Sequence, residues 1–301
     1  MHTTRRLDLL DPFEVAQLGG LEIVAKGVVE GYLNGLHRSP FRGFSVEFAE
    51  HRAYQAGDEL RYVDWRMLAR SDRLFVKQYE EETNLRAMVV VDASASMDWR
   101  GSEGRLTKLE YSKRLAAALT HILLKQRDAA GLIGFDETVR EVVPARARRD
   151  QWWRMIRALE NLTPGSGTAA EPALTRVTDL LRRRGLVVLI SDLLFDRDLT
   201  LRALQFLRHR GHEVVVLHVM DPGEWDLEGP PEANYKDVET GVRMTVRPRE
   251  LRAAYHDTVR HAVNAWQSHC RRNGIAYHHV LTDTPFGLVL RRAAGRGMFL
   301  A

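Results

Sequence analysis

One cysteine, Cys270, stands in a chain of 301 residues. No intrachain disulfide and no cysteine zinc cluster can form from it, and a reducing, cytoplasmic setting fits that usage. Long apolar runs are missing as well: stretches such as 186–190 are about a quarter of the length that crosses a bilayer. The opening residues are charged but carry no apolar stretch of signal-peptide length. Neither export by such a signal nor an integral membrane segment is therefore expected. Charge of one sign is scarce too, with 44 Lys and Arg against 40 Asp and Glu, a net +4. The arginines around 146–149 and 182–184 read as solvated, and no basic stretch alternates with aromatics, which argues against nucleic acid as a partner. A phosphate-cradling loop with its Lys-Ser/Thr is absent, as is the Gly-x-Ser-x-Gly nucleophile turn, so neither ATP hydrolysis nor that hydrolase chemistry is expected.

What is present falls into three textures. Residues 1–36 read as a helical segment, with Val15, Leu18, Ile23, Val28 and Leu33 spaced among small and charged residues. Residues 37–83 are aromatic and charge-dense, a small β-rich module of short strands and turns. From residue 84 to 301, apolar strands alternate with amphipathic helices. Strands are expected at 86–91, 129–135, 138–143, 186–190, 213–219 and 275–280, and helices at 107–125, 151–162, 171–184, 199–209, 250–272 and from Pro285. Pro222, Pro230 and Pro231 mark an insertion at about 221–247. The fold class is α/β, a doubly wound, mostly parallel, Rossmann-like sheet flanked by helices. Ligands of such sheets gather at the carboxyl ends of the strands. Trp152, Trp153 and Trp266 read as core anchors of their helices.

The first buried strand ends in Asp92, Ser94 and Ser96, an Asp-x-Ser-x-Ser segment. A carboxylate and two hydroxyls at alternate positions converge only where a strand ends and turns. They are hard oxygen ligands, suited to Mg2+, with Mn2+ or Ca2+ as alternatives, and poorly suited to zinc. Two more oxygens fall in strand-to-helix loops: Thr168 in a Gly-rich loop and Asp192 after the strand at 186–190.

This set resembles the metal-ion-dependent adhesion site of von Willebrand factor A domains. The resemblance implies that Ser94, Ser96 and Thr168 contact the metal directly or through water. Asp92 and Asp192 then supply charge largely through bound waters, and one position stays open for a partner's carboxylate. Upstream, the segments beginning at Glu47, Tyr54, Val63 and Phe75 are similar to the signature of the prokaryotic family called domain of unknown function 58, in which such segments precede an A domain. That resemblance implies a protein partner, a MoxR-type AAA+ ATPase, with this chain as its adaptor or co-chaperone. Some relatives carry amino-terminal membrane helices; none is expected here, so membrane tethering is not carried over.

Each ligand also has a plainer reading. Thr168 with Glu171 forms a capping box, with Pro172 in the first turn. Asp192 alone reads as a loop or capping carboxylate, and Asp136 as a turn residue. The cluster of Asp58, Glu59, Arg61, Asp64 and Arg66 around Trp65 reads as a salt-bridged brace. Together the sequence points to a metal-dependent protein-protein interaction module without catalytic residues. Its alternatives are a metal-dependent phosphoesterase using Asp92, where Ser94 stands in place of the wanted general acid, and a structural scaffold without metal.

Overall fold

Strands that alternate apolar with charged residues cannot be covered on both faces, and among the described residues before 85 the sheet is a two-stranded antiparallel ladder extended by a single bridge between Val63 and Val76. The computed structural model describes residues 21–22, 24–26, 28–29, 47–54, 63–71, 73–80, 85–165, 171–236 and 243–293. Two compact units divide the chain, residues 39–84 with 299–301, and residues 1–38 with 85–298. In the smaller, β1 (Glu47–Ala53) pairs with β2 (Phe75–Glu80), with a register shift between Phe48 and Glu50. Between them lies a helix the sequence did not suggest, α1 (Trp65–Ser71). Asp64 caps it: its Oδ1 accepts the Met67 N–H at 3.2 Å. Trp65 is exposed. Asp58, Glu59 and Arg61 lie outside the described residues.

The larger unit holds a six-stranded sheet. In chain order its elements begin with β3 (Arg86–Asp92), a 3-10 turn (Ala95–Asp98), α2 (Lys108–Lys125), β4 (Ala129–Phe135), β5 (Val139–Arg146) and α3 (Gln151–Asn161). They continue through α4 (Glu171–Leu180), β6 (Leu186–Ser191), α5 (Arg197–His209) and β7 (Glu213–Met220). After α6 (Pro222–Asp226), the hairpin of β8 (Ala233–Lys236) and β9 (Arg243–Val246) intervenes, then α7 (Pro248–Arg272), β10 (Ala276–Leu281) and α8 (Phe286–Ala293). The strand order is β10-β7-β6-β3-β4-β5, parallel throughout except β5, which runs antiparallel to β4 at the edge. From β3 the chain winds outward through β4 in one direction, and from β6 through β7 in the other. The connections therefore part between β3 and β6, the switch point at which doubly wound sheets form their ligand crevice.

Helices cover both faces. Leu174, Val177, Leu201, Leu204, Val263 and Trp266 pack with Val187, Leu189, Val214 and Val216 on one side. On the other, α2 presents Leu115, Leu119, Ile122 and Leu123, all buried, and Tyr111 stacks on Phe286 of α8 at 4.7 Å. The α2 amino terminus carries the expected capping box: Thr107 Oγ1 accepts the Glu110 N–H at 3.2 Å, and Glu110 Oε2 accepts the Thr107 N–H at 3.3 Å. Val24, Ala25, Val28 and Val29, in the helical stretch before residue 30, are buried as well; Val15, Leu18, Ile23 and Leu33 lie outside the described residues. Cys270 is buried, and burial pushes its thiol up to about 12.

Three expectations need correcting. The strand placed at 138–143 continues through Pro144 to Arg146, because β5 is an edge strand, where a missing N–H costs no ladder bond. The helix placed at 171–184 stops at Leu180; the chain must run into β6, where Gly185 passes so close that a Cβ would sit 2.0 Å from the Arg86 carbonyl oxygen. Trp153 is 56% exposed, while Trp152 beside it is buried, since adjacent helical residues point about 100° apart.

The β4–β5 contact gives a stability test. Gly131 lies within a register shift of that pair, and a Cβ there would meet Met88 Sδ at 2.5 Å and the Ala145 nitrogen and Val143 oxygen at 2.6 Å. Gly131→Ala is expected to lower unfolding free energy by about 1–3 kcal/mol through overpacking. Urea unfolding checks this, and an unchanged midpoint would show that the strands do not approach this closely.

Candidate functional site

Parallel pairing of β3 with β6 sets Val91 opposite Ile190, so the next residues, Asp92 and Ser191, end neighbouring strands at the switch point. Apolar strands bury whatever follows them: Asp92 is 0% exposed, and Ser94, Ser96, Ser191 and Asp192 are buried. Asp92 Oδ1 accepts the Ser94 N–H at 2.8 Å, and Oδ2 accepts the Ser191 hydroxyl at 2.6 Å. Ser191 Oγ in turn accepts the Leu193 N–H at 2.9 Å. That bond holds Leu193 at φ 55°, a left-handed conformation costing a non-glycine residue about 1–2 kcal/mol. Backbone strain of this kind collects at functional sites.

The two hydroxyls of the motif meet, Ser94 Oγ lying 3.2 Å from Ser96 Oγ. The Ser96 hydroxyl also helps to hold the Asp192 carboxyl down. Four of the five oxygen-bearing residues singled out by sequence, Asp92, Ser94, Ser96 and Asp192, are thus one connected group. Thr168 lies outside the described residues. The loop leading toward it docks on the motif, with the Gly165 N–H donated to the Ala93 oxygen at 2.7 Å. A Cβ at Gly165 would lie 2.5 Å from Asp136 Oδ2, so only glycine lets that loop approach. Asp136 is the turn residue expected, accepting the Thr138 N–H at 2.9 Å and pairing with Arg140 at 2.5 Å.

Spacing alone did not reveal the cation at the centre of this group. Lys108, the first residue of α2, is 0% exposed. Its Nζ donates to Asp192 Oδ2 at 2.8 Å and to Glu224 Oε1 at 2.5 Å. Glu224 belongs to the capping box of α6, its Oε2 accepting the Asp221 N–H at 3.1 Å. Asp221 is fully buried and accepts from the Gly223 N–H at 2.7 Å, Thr282 Oγ1 at 3.1 Å and Arg105 at 3.2 Å. The segment opening the 221–247 insertion is therefore part of the site's wall. One signal was available: a lysine at the first position of a helix faces the positive end of the macrodipole, which is unfavourable unless acids lie opposite.

The charges are unevenly balanced. Burial, then the neighbouring Asp192, pushes the Asp92 carboxyl up to about 7, against the hydrogen bonds from Ser191 and Ser94. Burial would raise Asp192 too, but the charge and hydrogen bond of Lys108, with the Ser96 hydroxyl and Leu194 N–H, hold it below its ordinary value. Burial opposes the ammonium of Lys108, yet Asp192 and Glu224 outweigh it and raise Lys108. Lys108 therefore compensates Asp192, while among the described residues no cation pairs with Asp92. Beside two neutral hydroxyls, such a carboxylate fits a small hard cation. Among the described residues no group of three or more His, Cys, Asp or Glu is placed to hold a metal, so a cation here would depend on the serine oxygens.

A family model described as Protein of unknown function DUF58 matches residues 50–265. The chain belongs to the DUF58 family. Uncharacterized proteins of Mycobacterium tuberculosis and Mycobacterium bovis are 31% identical to this DUF58 chain over 271 residues, 89% of it and 83% of each relative. Among solved structures it is similar to the conserved hypothetical protein BatB of Bacteroides thetaiotaomicron, at 17% identity and TM-score 0.45, covering 71% of this chain and 98% of that one. An aerotolerance-related membrane protein of Bacteroides fragilis is similar at 18% identity and TM-score 0.47 over the same shares. A von Willebrand factor type A protein of Catenulispora acidiphila is similar at 14% identity and TM-score 0.32, over 45% of this chain and 33% of its own. Among the described residues, no helix of the DUF58 chain is long and apolar enough to cross a membrane.

Beside Ser191, across the β6–β7 ladder, lies His218, whose Nδ1 is 2.6 Å from the Tyr277 hydroxyl. Burial, then His279, pushes His218 down to about 3, and burial pushes His279 down to about 4. Both stay neutral in the folded chain while the unfolded chain takes up protons below about pH 6.5. Stability from this source is present above pH 6.5 and is lost as pH falls toward 4, at up to about 1.4 kcal/mol per pH unit for His218. The urea midpoint is expected to fall more steeply between pH 7 and 5 in wild type than in His218→Gln, which keeps a polar partner for Tyr277. Parallel slopes would show that His218 is not held neutral.

Proposed function

We propose that this DUF58 chain is a metal-dependent protein-binding module of the von Willebrand factor A kind, without catalytic residues of its own. Asp92, Ser94, Ser96 and Asp192, with Thr168, would hold a Mg2+ ion. The observation that carries this reading is the buried Asp92 carboxyl beside Asp192 and two hydroxyls, with the buried lysine turned to Asp192 instead. When bound, the cation supplies a positive charge incompletely neutralised by these neutral oxygens, which a carboxylate from a partner can complete. The residues themselves do the positioning. Ser191 and the Ser94 N–H fix the two oxygens of Asp92, and the 3-10 turn carries Ser96, buried with its hydroxyl 3.2 Å from that of Ser94. For the partner, the family resemblance suggests a MoxR-type AAA+ ATPase, which this chain would serve as adaptor or co-chaperone in the cytoplasm.

Two other readings make different demands. A phosphoesterase using Asp92 needs a general acid two residues on, where Ser94 stands. A scaffold without metal is favoured by one observation: Lys108 already satisfies Asp192. Calorimetry of Mg2+ binding, followed by capture of a MoxR-type ATPase, separates the three. Wild type is expected to bind Mg2+ and to capture the ATPase in its presence. Asp92→Ala and Ser96→Ala are expected to lose about 10-fold or more in metal affinity, with capture lost in chelator. Capture that is equal in wild type, in both folded variants and in chelator would contradict the adhesion reading. Asp92-dependent turnover of a generic phosphoester would favour the esterase.

A further inference from the structure

An ammonium taken out of water is tolerated only where acids compensate it, and Lys108 is compensated twice. Its side chain is 1% exposed, with Asp192 at 2.8 Å and Glu224 at 2.5 Å. The two acids have different surroundings. Asp192 sits within the oxygen group of Asp92, Ser94 and Ser96. Glu224 stands outside it, on α6, with 22% of its side chain exposed. Its position is fixed by the α6 capping box, and that box by Asp221, which Thr282 and Arg105 hold in turn.

We propose that Lys108 is a built-in competitor for the divalent cation: its ammonium occupies Asp192 in the metal-free chain, and Glu224 is the second acceptor that keeps Lys108 when Asp192 turns to the ion. The inference rests on the metal reading above and adds to it a determinant of affinity. An ammonium has three N–H donors, so it can lean toward Glu224 by a side-chain adjustment within the reach it already spans. Asp192 cannot be shared at no cost, because a divalent ion and an ammonium on one carboxylate repel each other. The intact chain should therefore hold Mg2+ weakly. Removing Lys108 should tighten the site, and removing Glu224, which leaves the ammonium to Asp192 alone, should loosen it.

Calorimetric titration of MgCl2 into the full chain tests this with wild type, Lys108→Met, Glu224→Gln and Asp92→Ala. Lys108→Met is expected to bind about 10-fold tighter than wild type or more, and Glu224→Gln about 10-fold weaker. If Lys108→Met does not fold without metal, the loss in the partly exposed Glu224→Gln decides. Affinities equal to wild type in the folded charge variants, with binding abolished by Asp92→Ala, overturn the competitor role and leave the metal reading standing. Absence of binding in every variant that folds overturns both.

Discussion

Two carboxylates taken out of water at adjacent strand ends repel each other, and neither has solvent to fall back on. Asp92 closes β3 and Asp192 follows β6 because the doubly wound order makes these strands neighbours. Their burial follows from the apolar runs that make the strands. Everything polar nearby answers this constraint. Ser191 and the Ser94 N–H bond Asp92; the Leu194 N–H and Lys108 bond Asp192. The left-handed Leu193 is tolerated because its N–H closes the same network through Ser191.

One cation for two buried acids leaves the group poised rather than settled. A structural ion pair alone would need only Asp192 and Lys108, and the rest could be apolar; replacing such pairs by hydrophobic residues is often neutral or stabilising. Instead the chain places a second acid, two serines and a strained backbone within the same few residues. A protein-binding function accounts for this arrangement.

Much of this was legible in the sequence because it rests on local pattern. The apolar runs mark the strands, Thr107 and Glu110 mark the start of α2, and Asp-x-Ser-x-Ser falls where a strand must turn. Other features depend on which elements become neighbours. Lys108 meets Glu224 across more than a hundred residues, through an α6 that opened what read as an insertion. The lysine at a helix amino terminus was the one local hint. Edge position let β5 pass through Pro144, and the choice between Trp152 and Trp153 depends on the orientation of α3. Within what read as an insertion, β8 and β9 pair antiparallel. The small unit's α1 was hidden by the charge density of residues 58–66, where Asp64 turned out to be a cap.

The most direct measurement is an X-ray structure of the full chain from crystals grown in MnCl2, with anomalous scattering used to locate manganese. The account predicts a peak bonded at about 2.0–2.2 Å to hydroxyls of Ser94 and Ser96, with Lys108 drawn toward Glu224. No peak at this group in well-diffracting crystals, with Lys108 still seated on Asp192, would contradict it.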